Sequence, residues 1–163
     1  AAAEYRPGRF TLTRAVLRLP GATPVTLTAE GAAALAEGKW RGAVNLALDA
    51  VPFSDLPRHW PEGLGTGERA WITGNITAGA ARNGRWRFEG EAPADLSALR
   101  LTRLAGTLDV ADATVHWLRP IPPVERVAGQ VTFGLSEIVA RVTAGREAGT
   151  AVQARDTTLR FTF

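Results

Sequence analysis

Trp40-Arg41-Gly42-Ala43-Val44-Asn45-Leu46-Ala47-Leu48-Asp49 alternates, with Trp40, Gly42, Val44, Leu46 and Leu48 on one side and Arg41, Asn45 and Asp49 on the other. Successive side chains of a strand point to opposite faces, so a period of two reads as a strand with one face in water. The same period recurs on both sides of this stretch. Downstream, Arg85, Arg87 and Glu89 interleave with Trp86 and Phe88. Upstream, Arg9 to Leu19 sets Phe10 and Leu12 on one face and then changes phase near Arg14, so that Ala15, Leu17 and Leu19 take over, the mark of a bulge. Val25 to Glu30 follows a Pro20-Gly21 turn signal.

From Leu99 the pattern resumes with Leu101, Leu104, Leu108 and Val110, breaks near Ala111-Asp112, and continues through Val115 and Trp117. Pro120 to Pro123 must leave the sheet, since proline cannot donate to a ladder. Four further strands are predicted over Val127 to Leu135, Glu137 to Ala144, Gly149 to Arg155 and Asp156 to Phe163, a meander. Two stretches stay open on sequence alone. Gly31 to Gly38 is alanine-rich and fits a helical turn or a wide loop, and Asn83-Gly84 fits a tight hairpin or a longer loop.

About nine strands, each with one apolar face, must hide those faces from water. The sheet either folds on itself as a sandwich or barrel, or curls into a trough filled by another apolar body. Alternation fits both. The last strand runs to Phe163 without a polar tail, and no methionine is present even at position 1, so a piece of a longer chain, with the sheet continuing beyond it, is expected.

One segment breaks the period of two. In His59-Trp60-Pro61 through Gly67-Glu68-Arg69-Ala70-Trp71-Ile72 to Asn75-Ile76-Thr77-Ala78-Gly79, Leu64, Trp71, Ile72 and Ile76 fall on one helical face. Thr66 can cap its first turn and Glu68 suits its positive end, while Gly74 weakens the helix or ends it early. A helix-containing insert over about 53–79 is therefore expected.

This segment resembles the AsmA-like family, in its YhdP-type branch, where a Trp-Pro, then an Arg-x-Trp helix, then Asn-Ile and a glycine precede a run of strands. Thr114-Val115-His116-Trp117-Leu118, Ile121-Pro122-Pro123-Val124, Val127-Ala128-Gly129 and Gln130-Val131-Thr132-Phe133 are similar to that family's strand, double-proline turn and following strand. The likeness covers roughly residues 40 to 145 in order and spacing. It implies structural roles for Trp60, Pro61, Arg69, Trp71, Asn75, Gly79, Pro122, Pro123 and Gly129. It also implies one β-groove segment over 1–163 of a bridge-like lipid-transfer protein, located in the periplasm of a Gram-negative bacterium. Such a protein is anchored in the inner membrane by another segment and passes phospholipid between inner and outer membranes.

The physics of that task is specific. A phospholipid leaving a bilayer gives up about 0.8 kcal/mol per methylene, something over ~20 kcal/mol for two acyl chains, which the carrier must replace along the path. A trough of Val, Leu, Phe and Trp does so and demands no charged pocket.

The expected fold is mainly β, a curved antiparallel meander sheet forming an open hydrophobic groove, with one short α-helix. The residues expected to meet acyl chains are Val44, Leu46, Leu48, Trp86, Phe88, Leu108, Val110, Val131, Phe133, Ile138, Val142, Leu159 and Phe161. No cofactor, metal or nucleic acid is expected, and no catalysis. Cysteine is absent, which excludes disulfides and thiolate metal sites. The net charge of +3 is carried almost wholly by arginines spread singly along strands, unlike the clustered basic face of a nucleic-acid binder. No apolar run approaches the ~20 residues of a membrane-spanning helix, and Ala1 to Pro20 has no signal-peptide pattern.

His59 and His116 lack ligand spacing and are expected at surface or capping positions. Ser54-Asp55 and Ser97 lack a nucleophile motif, and Gly63-Leu64-Gly65-Thr66-Gly67 lacks the lysine of a phosphate loop. Trp60 and Trp71 are expected to pack the helix on the sheet, with a lipid interface as the other option. Arg69 is expected to hold the helix through loop carbonyls, with lipid headgroups as the other option. The first rival function is a closed β-sandwich acting as a structural or interaction module of the cell envelope. The second, a hydrolase or glycan-acting enzyme, would need two facing carboxylates among residues such as Asp49, Asp109 and Asp112.

Overall fold

A computed structural model describes residues 1–21, 24–60, 62 and 66–162. Pro61, residues 63–65 with Leu64 among them, Phe163 and the side chain of Thr66 lie outside the described residues. The strands are β1 (Ala2–Arg6), β2 (Arg9–Leu19), β3 (Val25–Ala36), β4 (Lys39–Pro52), β5 (Ile76–Pro93), β6 (Arg100–Val115), β7 (Val124–Gly134), β8 (Glu137–Glu147), β9 (Gln153–Ala154) and β10 (Thr157–Thr162). They form one antiparallel sheet in the order β1-β2-β3-β4-β5-β6-β7-β8-β10, with β9 paired to the end of β8. From β1 to β9 each strand lies beside its predecessor, as a chain of hairpins dictates, and β10 returns to pair with β8 beyond β9. β1 and β10 are opposite edges that do not meet, and no second sheet lies over either face among the described residues.

Several turns follow from local chemistry. Ala36 pairs with Lys39, and the two residues between, Glu37 and Gly38, both have positive φ (53° and 73°), a two-residue hairpin whose twist matches the flanking strands. The alanine-rich stretch before it is neither helical turn nor loop. It is the second half of β3, with Ala32, Ala33 and Ala34 opposite Ala43, Gly42 and Arg41. Pairing on both sides overrides the weak strand preference of alanine.

Asn83-Gly84 makes no hairpin. Arg82 pairs with Asp109 and Arg85 with Thr107, so three steps on β5 oppose two on β6, and Asn83 is a bulge residue with φ 53° inside an 18-residue strand. The left-handed preference of asparagine is satisfied by a bulge as well as by a turn. The stretch predicted as a strand over Gly149 to Arg155 contributes only Gln153–Ala154.

The connection from β4 to β5 carries two short helices where one was expected. After a 3-10 turn (Phe53–Asp55) come α1 (Leu56–His59) and α2 (Thr66–Asn75). Arg69 ties them together, donating from Nε to the Trp60 carbonyl and from Nη2 to the Pro57 carbonyl, both at 3.0 Å. α2 turns Ile72 toward the sheet and leaves Trp71, about 100° around the helix, 42% exposed. Trp71 therefore does not pack the helix on the sheet.

The helical segment closes one rim. Phe53, with Leu56, Ile72 and Ile76 packed alongside, joins Val25, Val51, Ala81, Ala113 and Val127 in a small buried core. Gly79 lets β5 enter this rim. Its φ is 83°, and a Cβ there would stand 2.5 Å from the Ala111 carbonyl oxygen and 2.6 Å from the Ala113 backbone, so glycine is required.

Candidate functional site: an uncovered apolar face

Residues directly opposite one another in an antiparallel pair point to the same face, so register fixes which side chains share a surface. One row runs Ala15, Ala29, Leu46, Trp86, Gly106, Phe133, Ile138 and Phe161, crossing β2 to β10. The row on one side of it contains Leu12, Gly31, Val44, Phe88 and Leu104. On the other side come Leu17, Leu27 and Leu48, then, past the β5 bulge, Leu108, Val131, Ala140 and Leu159. A further row, Val51, Ala81, Val110, Gly129 and Val142, leads into the core under the helices.

Registration thus places Val44, Leu46, Leu48, Trp86, Phe88, Leu108, Val110, Val131, Phe133, Ile138, Val142, Leu159 and Phe161 on one face. No charged residue interrupts these rows.

Trp86 forms the floor. A Cβ on Gly106 would lie 2.2 Å from its Cδ1, and one on Gly84 2.3 Å from its Cη2, so the indole spreads flat over two glycines of β6 and β5. Phe133 stands beside it with ring centroids 5.9 Å apart and planes tilted by 58°, within the favoured range for aromatic pairs.

The opposite face is polar. Arg87 donates to Glu89 (2.7 Å) and Asn45 (3.3 Å), Asn45 to Glu30, and Asn83 and Gln130 both to Asp109. Arg100 pairs with Glu91 and Arg160 with Glu137. These donors hold the carboxyls of Glu89, Glu91 and Asp109 below their ordinary values: chiefly Arg87 for Glu89, Arg100 for Glu91, and Asn83 then Gln130 for Asp109. An open depression of about 830 Å³ lies on this polar face, between the row Thr28, Ala47, Arg85, Thr107 and Thr132 and the row Glu30, Asn45 and Arg87. Ala29, Leu46, Trp86, Gly106 and Phe133 of the central row, which runs between those two, also border it, whereas Val44, Leu48, Phe88, Leu108 and Val131 do not. The apolar face is accordingly a broad open surface and not an enclosed pocket.

Its openness is measurable. The chain exposes 10,488 Å², against about 7,800 Å² expected for a compact 17.3 kDa protein. Phe10, Leu17, Val44, Leu101, Leu159 and Phe161, all on the apolar face, are each at least two-fifths exposed. Burying roughly 1,000 Å² of such surface is worth about 25 kcal/mol.

Of the remaining candidates, Gly129 lies in the last of these rows and the others fall outside them. Asn75 caps the end of α2, its Nδ2 on the Trp71 carbonyl and its own carbonyl accepting from the His116 N–H. Gly129 sits in β7 between Val110 and Val142, and the Pro123 carbonyl accepts from Ala148, next to an exposed Pro122. Trp60 follows α1, its N–H on the Leu56 carbonyl. His116 follows β6 with Nε2 3.3 Å from the Thr77 hydroxyl, while Nε2 of His59 and Oδ2 of Asp55 are buried without a hydrogen-bond partner. His59 is half-buried in the last turn of α1, the capping alternative of the two roles expected of it. Asp109 is engaged on the polar face and Asp49 and Asp112 are exposed, with no facing pair. Among the described residues no group of three potential metal ligands occurs, and no helix is long and apolar enough to cross a membrane.

Fold and face together define an open antiparallel meander sheet with one uncovered apolar side. Compared with family models, curated proteins and solved structures, the chain matches none.

Proposed function

We propose that the apolar face binds phospholipid acyl chains and passes them along the row that crosses the strands. On this reading the chain is an AsmA-like, YhdP-type segment of a periplasmic protein carrying phospholipid between inner and outer membranes. The observation that carries the proposal is the uncharged, uncovered row from Leu46 through Trp86 and Phe133 to Phe161. It continues from strand to strand, so a chain lying on it keeps apolar contact as it moves. A closed sandwich would need a second layer over this face, and the described residues supply none. Headgroups can remain in water, so the reading asks for no charged pocket, no metal and no reaction.

The test is photo-crosslinking with labelled phospholipid. Photoreactive side chains at Leu46, Phe88 and Phe133 are expected to take up label, and those at Arg87 and Thr132, on the other face, are not. Equal labelling of both faces, or none at the apolar positions, would overturn the proposal.

A further inference from the structure

A second apolar patch lies away from the strand rows, on the rim closed by the helices. The connection from β6 to β7, His116–Pro123, is fastened to the end of α2. The His116 N–H donates to the Asn75 carbonyl at 2.8 Å, and Arg119 Nη2 to the Gly74 carbonyl at 3.3 Å. Trp71 stands one turn before Gly74 and Asn75 on the same helix, close to the end that holds this loop. Large apolar side chains stand out in water here: Trp117 57%, Leu118 55%, Trp71 42% and Ile121 41% exposed.

We propose that this rim docks on the interfacial region of a lipid bilayer. Three features select that occupant. The patch exposes roughly 400 Å² of apolar side chain, about half of the ~800 Å² per partner that a stable protein interface needs, yet enough for shallow insertion between headgroups. Two indoles lead it, and tryptophan is the side chain that concentrates at the headgroup level of membranes. His116–Pro123 carries one arginine and no carboxylate, which suits an anionic lipid surface. Pro120, Pro122 and Pro123 restrict the backbone, so little conformational freedom remains to be lost on docking. This docking is independent of acyl-chain binding by the sheet.

Vesicle flotation tests it, using the whole chain with phosphatidylcholine vesicles and with vesicles that also contain phosphatidylglycerol. The chain is expected to float with the mixed vesicles. Combined Trp117→Ala, Leu118→Ala and Ile121→Ala is expected to weaken association at least about tenfold, and Arg119→Gln to remove the preference for phosphatidylglycerol. These side chains point away from the core, and crosslinking of phospholipid at Phe133 in the triple variant checks that the sheet is intact. Failure to float, or flotation unchanged in the triple variant, overturns the proposal. So does self-association without vesicles that the triple variant abolishes, because the patch would then be a protein interface. Loss of crosslinking at Phe133 with flotation retained would count against the acyl-chain face and leave the rim proposal standing.

Discussion

At the scale of single residues, Trp86 shows how a large side chain can floor a surface without a second layer above it. Gly84 and Gly106 leave room for the indole to lie flat, and Phe133 props its edge. Gly106→Val would drive a branched side chain into the ring. We expect a loss of about 1–3 kcal/mol in urea unfolding, with a changed Trp86 environment in near-ultraviolet circular dichroism; unchanged stability would show that the ring has room elsewhere. Arg69 acts on the connection between β4 and β5. Its two hydrogen bonds to the Trp60 and Pro57 carbonyls are charge-assisted and only partly shielded, so Arg69→Met should cost about 1–2 kcal/mol. Arg69→Lys should recover little, because one ammonium cannot reproduce the fork. At Gly79, alanine would combine positive φ with close contacts to Ala111 and Ala113, and a loss of at least about 2 kcal/mol is expected; a neutral result would mean that the backbone relaxes there.

At the scale of elements, the polar face links strands that the apolar face leaves unsupported. Glu89, Glu91 and Asp109 each have carboxyls held below the ordinary 4.5 or 3.8 by donors from the same or neighbouring strands. As pH falls, the unfolded chain takes up these protons first. Their contribution is therefore complete above the ordinary carboxylate range and is lost as pH drops through and below it. Urea midpoints should be flat near neutrality and fall in acid, and Glu89→Gln with Asp109→Asn should flatten that fall; an unaltered acid slope would assign it to other groups. Salt should weaken the exposed pairs further.

Strand identity was legible wherever one face was apolar and the other charged, as in Trp40 to Asp49 and Arg85 to Glu89. It was not legible in Gly31 to Gly38, where alanine sets no face and pairing with β2 and β4 decides. Nor was it legible at Asn83-Gly84, because a left-handed residue serves bulge and turn alike until the partner strand is known. Trp71 marks a different limit. Helical period groups it with Ile72, but the two are about 100° apart and share a core only where it is wide enough for both; the small core under α2 takes Ile72.

At the scale of the whole molecule, the sheet is open at both edges, no second layer covers it among the described residues, and its buried cluster sits at the rim under the helices, with Ala92 buried apart from it. Alternation alone could not decide between this and a sandwich, since both hide or present the same residues. What decides is whether a second layer exists, a long-range property that no local pattern encodes. Because the chain has no cysteine, its apolar face can be probed one site at a time. The most direct measurement is the reaction rate of single cysteines placed at Val44, Phe161 and Thr132 with a small water-soluble maleimide, in lipid-free protein and again with phospholipid. An open face predicts that the first two react on the same timescale as Thr132→Cys and that phospholipid slows only them. Strong protection of both before any lipid is added would contradict it.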